Sequence, residues 1–254
     1  MLKKLFILSV VLLSAMAVAA QMEMEKGDGM KKTVTAEEAS KMALNVGAKM
    51  PSFNLSDPNG NFVSSEDLLK QGNLVVVFYR GAWCPFCNAY LHKLQMNLKE
   101  IEASGGKLVA ISVENPDTSM SVAEKNKLEF TVLSDKHLDL ARKFGIVYQL
   151  SPETNEKYKG YGIDLVKQNG TETPDLPLSA TYIVKQNGEI AYAYLEPDYK
   201  QRLEPEIIIE TLGKLKKSDG MMKSEGDKMM KSKDDKMKPK DEKMKKTKDD
   251  KMDN

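Results

Sequence analysis

The chain has 254 residues, 41% of them hydrophobic and 30% charged, enough for one sizeable core but not for a core that uses the whole length. A formal charge of +1 excludes a strongly basic nucleic-acid-binding protein, and two cysteines are too few for a disulfide-built scaffold.

Residues 1–20 read as a secretory signal: Lys3 and Lys4, an apolar run from Leu5 to Leu13 broken only by Ser9, then the small residues Ala17-Val18-Ala19-Ala20. No cysteine follows to accept a lipid, and no other stretch has membrane-spanning length. The expected location is therefore exported, periplasmic or secreted, with no membrane span. Residues 21–42 are polar and read as a linker.

From 214 to 254 the composition changes again, to 15 Lys, 10 Asp or Glu and 7 Met with Leu215 as the single aliphatic residue. Such a segment buries too little surface to offset the entropy of ordering, which predicts a disordered tail. The remaining 213 residues hold 23 basic against 27 acidic groups, so an acidic body lies under the nearly neutral total. Asp-Lys-Met units recur in the tail at 227–229, 235–237 and 250–252. Thioethers ligate Cu(I) and scavenge oxidants, but a solvated low-complexity tail with no ligand is the simpler reading. The folding body is expected over 43–213.

Within the body, Phe53 to Leu55 and Phe62-Val63 predict a short hairpin around Asp57-Pro58-Asn59-Gly60, followed by a brief helix at Ser64 to Leu69. Leu74 to Tyr79 is continuously apolar, as expected of a central strand buried on both faces. From Pro85, the apolar positions Leu91, Leu94, Leu98 and Ile101 keep a helical period up to Ser104-Gly105-Gly106. Leu108 to Val113 predicts a strand, Pro116 to Leu128 a helix, and Phe130 to Leu133 a third strand. Asp135 is placed to cap the helix carrying Leu138, Leu140 and Phe144. Residues 145–178 lack periodicity and read as an irregular excursion or a lid. Ala180 to Val184 and Glu189 to Tyr194 flank Asn187-Gly188 as a hairpin, and Glu204 to Leu215 closes the body as a helix. The alternation predicts an α/β sandwich with helices on both faces of the sheet.

Both cysteines lie in Cys84-Pro85-Phe86-Cys87, where the central strand hands over to a helix. A thiol at a helix N-terminus meets unpaired N–H groups and the positive end of the helix dipole, which favour thiolate. A stabilised thiolate also departs faster from a mixed disulfide, so the pair suits thiol–disulfide exchange. Peroxide reduction needs in addition donors that polarise the O–O bond. A zinc site would require two further ligands: His92 falls about 140° round the helix from Cys87 and His137 is remote. No metal or cofactor is expected.

The stretch Phe78-Tyr79-Arg80-Gly81-Ala82-Trp83-Cys84-Pro85-Phe86-Cys87-Asn88 resembles the peroxiredoxin-like branch of the alkyl hydroperoxide reductase and thiol-specific antioxidant (AhpC/TSA) family. Val46-Gly47 through Phe53, Ile111-Ser112, Leu133-Ser134-Asp135, Phe144-Gly145-Ile146 and Ala180 to Val184 extend the resemblance over about 46–210. The resemblance implies a thioredoxin-like fold: a central mixed β-sheet flanked by helices, with an N-terminal hairpin extension. It implies a thiol peroxidase acting on hydrogen peroxide or alkyl hydroperoxides and recycled by a thioredoxin-like protein, with the oligomeric state left open; the exported setting and the acidic body argue against a nucleic acid partner.

Set against the peroxiredoxin pattern, Cys87 falls on the attacking cysteine and Cys84 on its threonine neighbour; against thioredoxins, Cys84 attacks and Cys87 resolves. The peroxiredoxin alignment makes Cys87 the expected attacker and Cys84 its partner. Arg80 stands where the family has proline, Tyr90 where it has an acid or amide, and Ser179 where it has the arginine that steadies the thiolate. Arg80 is the candidate to supply that charge, and Tyr79 and Trp83 are further candidates to contact substrate. The alternative reading is a periplasmic thiol–disulfide oxidoreductase in which Cys84 attacks protein disulfides.

Overall fold

Thr35 starts the fold with a capping box: its side chain accepts from the Glu38 N–H, the Glu38 carboxylate accepts from the Thr35 N–H, and helix α1 (Ala36–Met42) follows. Ala39 on this helix is fully buried, and the Gln149 N–H donates to the Val34 carbonyl. The folded body therefore begins at Val34, inside the stretch 21–42 read as a linker. The structure, a computed structural model, describes residues 33–218. The signal reading at 1–20 and the tail reading beyond 218 lie outside the described residues.

Strands β1 (Asn54–Ser56) and β2 (Phe62–Ser64) form the expected hairpin, closed by Asp57, whose Oδ1 accepts the N–H groups of Asn59 and Asn61 at 2.8 and 2.9 Å. Ser64 caps α2 (Ser65–Gln71), and β3 (Asn73–Phe78) follows. Next come α3 (Pro85–Met96), α4 (Leu98–Ala103), β4 (Gly106–Ser112), α5 (Pro116–Lys125) and β5 (Thr131–Ser134). The single helix expected from Pro85 to Ile101 is broken at Asn97, whose side-chain amide donates to the Lys93 carbonyl at 2.9 Å and competes with the main-chain ladder. Asp135 caps α6 (Asp139–Phe144) as expected, accepting from Leu140 and Ala141 N–H at 2.9 and 2.8 Å.

The segment 145–178 is more ordered than its sequence suggests. It holds β6 (Val147–Gln149), α7 (Pro152–Gly160), α8 (Leu165–Asn169) and β7 (Asp175–Pro177), with β6 and β7 paired as a separate two-stranded sheet. Strands β8 (Thr181–Val184) and β9 (Ile190–Tyr194) form the second hairpin, and α9 covers 205–218 to the end of the described residues.

The main sheet runs β2-β1-β5-β4-β3-β8-β9. Strands β3, β4 and β5 are parallel, while β8 runs antiparallel to β3 and β1 antiparallel to β5. Strand β3 is thus the middle of five, with the first hairpin added at one edge. Alternation along its pleat divides the core. Leu74, Val76 and Phe78 face one apolar cluster with Val109, Ile111, Phe144 and Tyr182; Val75 and Val77 face the other with Leu91, Leu94, Ile101 and Ile208. Helices cover both faces in the thioredoxin-like arrangement expected. No helix among the described residues is long and apolar enough to cross a membrane.

Candidate active site

After β3 the chain turns sharply at Gly81, where φ is +149° and an added Cβ would lie 2.5 Å from Trp83 Nε1 and 2.9 Å from Glu114 Oε1. Only glycine fits that turn. Cys84 then takes the N-cap of α3 with Pro85 at its first position, and the N–H groups of Cys87 and Asn88 both donate to the Cys84 carbonyl at 3.1 Å. The local sequence thereby places one sulfur at the helix mouth and the other one turn inside.

The two cysteines are free thiols in contrasting settings. Cys84 lies at the edge of a cavity of about 460 Å³ lined also by Arg80, Trp83, Phe86, Tyr158, Tyr161 and Tyr199. Cys87 is not among the lining residues and packs into the core behind it. A hydrogen bond from the Cys87 thiol, joined by the charges of Arg80 and Arg202, outweighs burial and pulls the Cys84 thiol down to about 6. Burial, the hydrogen bond to Cys84 and the negative charge there push the Cys87 thiol well above its ordinary value. One proton is shared unequally, and the thiolate falls on the sulfur that faces the cavity.

Arg80 is 1% exposed, and among the described residues no carboxylate pairs with it. Its guanidinium donates to the Tyr158 hydroxyl and lies 3.9 Å from the Tyr199 ring centre, 4.9 Å from Trp83 and 5.6 Å from Tyr158. Three rings thus hold a buried cation beside Cys84. Ser179 is buried and, being neutral, supplies no charge.

A family model, described as the AhpC/TSA family, matches residues 46–193, more than half of the chain. The chain belongs to the AhpC/TSA family. It is 33% identical over 103 residues to peroxiredoxin Bcp of Escherichia coli, a match spanning 41% of this chain and 65% of that protein, just under two thirds of the relative. It is 32% identical over 105 residues to alkyl hydroperoxide reductase E of Mycobacterium tuberculosis, covering 41% of this chain and 69% of the relative. The crystal structure of peroxidoxin BcpB from Mycobacterium tuberculosis superposes with a TM-score of 0.53 at 19% identity, over 66% of this chain and 96% of that one, a likeness of fold.

In this AhpC/TSA chain the expected site residues separate. Arg80, Trp83 and Cys84 meet at the cavity. Tyr79, expected to touch substrate, is instead buried in the core on the α3 side of the sheet with Val75 and Val77, because the two-residue period of the strand carries it there. Cys87, to which the alignment assigns the attack, is not among the residues lining the cavity. Tyr158, Tyr161, Tyr199, Arg202 and Glu114 went unread in the sequence. Among the described residues no group of three His, Cys, Asp or Glu side chains is placed to hold a metal ion.

Glu114 follows β4 and closes the turn from below. Its Oε2 accepts the Ala82 N–H at 2.8 Å beside a second cavity of about 240 Å³ lined with Trp83, Asn115 and Gln168. Burial, reinforced by the negative charge at Cys84, pushes its carboxyl up to about 7. Its folded pKa lies above the unfolded value, so its contribution to stability is present below the usual carboxylate range and is lost as pH rises through about 7. Glu114→Gln keeps an acceptor for Ala82 but cannot ionise. Differential scanning calorimetry should show the wild-type thermal midpoint falling between pH 5 and pH 8 more than that of the variant; parallel profiles would contradict this.

Proposed function

We propose that the chain is a thiol peroxidase that reduces hydrogen peroxide or alkyl hydroperoxides, with Cys84 as the attacking sulfur and Cys87 as the resolving one. The observation that carries this reading is the lowered Cys84 thiol at an aromatic cavity beside the buried charge of Arg80. The Cys84 thiolate attacks one peroxide oxygen, the S–O bond forms as the O–O bond breaks, and the alkoxide or hydroxide takes up a proton and leaves. Arg80 is placed to stabilise charge on that leaving oxygen. The resemblance to proteins named peroxiredoxin and alkyl hydroperoxide reductase supports the same chemistry.

Cys87 then attacks the Cys84 sulfenic acid, giving an intramolecular disulfide and water. A thioredoxin-like dithiol restores the pair, and the leader-like segment at 1–20 favours an exported setting for the cycle. A second reading, exchange with protein disulfides, draws support from the same Cys84 geometry and from exposed Phe86 and Tyr161 on the cavity rim. The test offers the reduced protein a hydroperoxide and, separately, a protein disulfide such as insulin. The peroxidase reading expects fast oxidation by the first and slow exchange with the second; the reverse order would establish the alternative.

A further inference from the structure

Arg202 belongs to neither the strand nor the helix that carries the cysteines, and it reaches the pair from the loop before α9. Its Nη2 lies 3.5 Å from Cys87 Sγ, and its guanidinium carbon lies 5.8 Å from the centre of the Tyr90 ring. The other guanidinium nitrogen, Nη1, donates to the carbonyls of Tyr199 and Gln201. The loop is pinned to α3 twice more, by the Tyr90 hydroxyl donating to the Leu203 carbonyl at 2.8 Å and by the Lys93–Glu204 ion pair. Tyr90, standing where the family has an acid or amide, is therefore an anchor for the loop that carries Arg202.

We infer that Arg202 is a catalytic residue of the resolving step, holding Cys87 as a thiolate while it attacks the oxidised Cys84. This rests on the peroxidase reading above. Before peroxide arrives, the negative charge resides on Cys84 beside Arg80, and the Cys87 thiol donates to it. Oxidation of Cys84 to a neutral sulfenic acid removes that charge and its hold on the Cys87 proton. The groups acting on Cys87 then include Arg202 from the loop, the Arg80 main-chain N–H, Tyr148 from β6 and the modified Cys84. Arg202 is the cation among them, so it favours the deprotonated sulfur. Cys87 loses its proton, the S–S bond forms as the S–O bond of Cys84 breaks, and the departing hydroxide takes a proton to become water. Arg202 acts on both sulfurs but has its hydrogen-bond contact with Cys87, so the negative charge moves toward it as the cycle proceeds.

Trp83, the single tryptophan, adjoins Cys84 and is a built-in reporter for stopped-flow fluorescence. In the full chain mixed with hydrogen peroxide, the first phase reports oxidation of Cys84 and the second, independent of peroxide concentration, reports disulfide formation. Arg202→Met is expected to slow the first phase less than the second, because Arg202 is the smaller of the two cationic influences on Cys84, and to slow the second about tenfold, the loss of one charge-assisted hydrogen bond. Arg202→Lys, which keeps the charge, should recover most of that rate. A second phase at wild-type speed in Arg202→Met would overturn the inference. So would a Lys variant as slow as the Met variant, since a loop-holding role alone would give that result. A wild-type protein without a first phase would overturn the peroxidase reading itself, an outcome distinct from either.

Discussion

Cys84→Ser is expected to lose reaction with peroxide, whereas Cys87→Ser should react once and stop as a sulfenic acid on Cys84. At pH 7 a thiol with a pKa of about 6 is about 90% ionised, while burial and the hydrogen bond to Cys84 keep the Cys87 thiol protonated. Ionisation thus favours Cys84, which lines the cavity, over Cys87, which is not among its lining residues. Treating each variant with one equivalent of peroxide and a sulfenic-acid probe, then mapping the labelled peptide by mass, tests this. A label on Cys87 in the Cys84→Ser protein, formed at the wild-type rate, would restore the role that the peroxiredoxin alignment gives to Cys87.

Arg80→Met should separate activity from stability. The guanidinium is a buried charge with no carboxylate partner among the described residues, and the unbranched apolar chain of methionine suits the space among the three rings. The variant loses the cation–π contacts and the hydrogen bond to Tyr158 but also escapes the cost of keeping a charge out of water. Its thermal midpoint is expected within about 4 °C of wild type, the shift about 1 kcal/mol produces in a domain of this size. Its peroxide rate constant should fall by about 10- to 100-fold, because both the thiolate and the leaving oxygen lose their nearest cation. Calorimetry and stopped-flow measurement on the same preparation check both halves. A midpoint drop far beyond that range with unchanged reactivity would make Arg80 a structural residue and leave the site without its proposed electrophile.

The parts of the fold that were legible in the sequence are those where burial leaves no polar residue in the pattern. Strand β3 is one uninterrupted apolar run, and the turns at Asp57 and at Asn187-Gly188 carry their own chemistry. The strand-to-helix handover at Cys84 followed from the change of period. Helix α1 was hidden because one buried alanine seats it, and α7 because none of its residues is buried, so neither has an apolar stripe to find.

The cavity was legible only on its strand side. Arg80, Trp83 and Cys84 are neighbours in sequence, but Tyr158 and Tyr199 come from an excursion and a loop whose approach no local pattern encodes. The arginine sought at the family position is Ser179, and the cation near Cys87 instead arrives with Arg202 from another element. Tyr79 could have been placed correctly from strand alternation, which groups it with Val75 and Val77. The order of attack was the hardest to read: two resemblances assign it oppositely, and the distinction rests on which sulfur faces the cavity.

The central claim is that Cys84 is a peroxide-activating thiolate and not merely an acidic thiol. Stopped-flow Trp83 fluorescence of the reduced protein against hydrogen peroxide and an alkyl hydroperoxide at pH 7 gives the second-order rate constant directly. A preorganised cation at the leaving oxygen predicts a value at least about 100-fold above free cysteine after correction for thiolate fraction. A rate constant equal to that of free cysteine at the same thiolate fraction would contradict it.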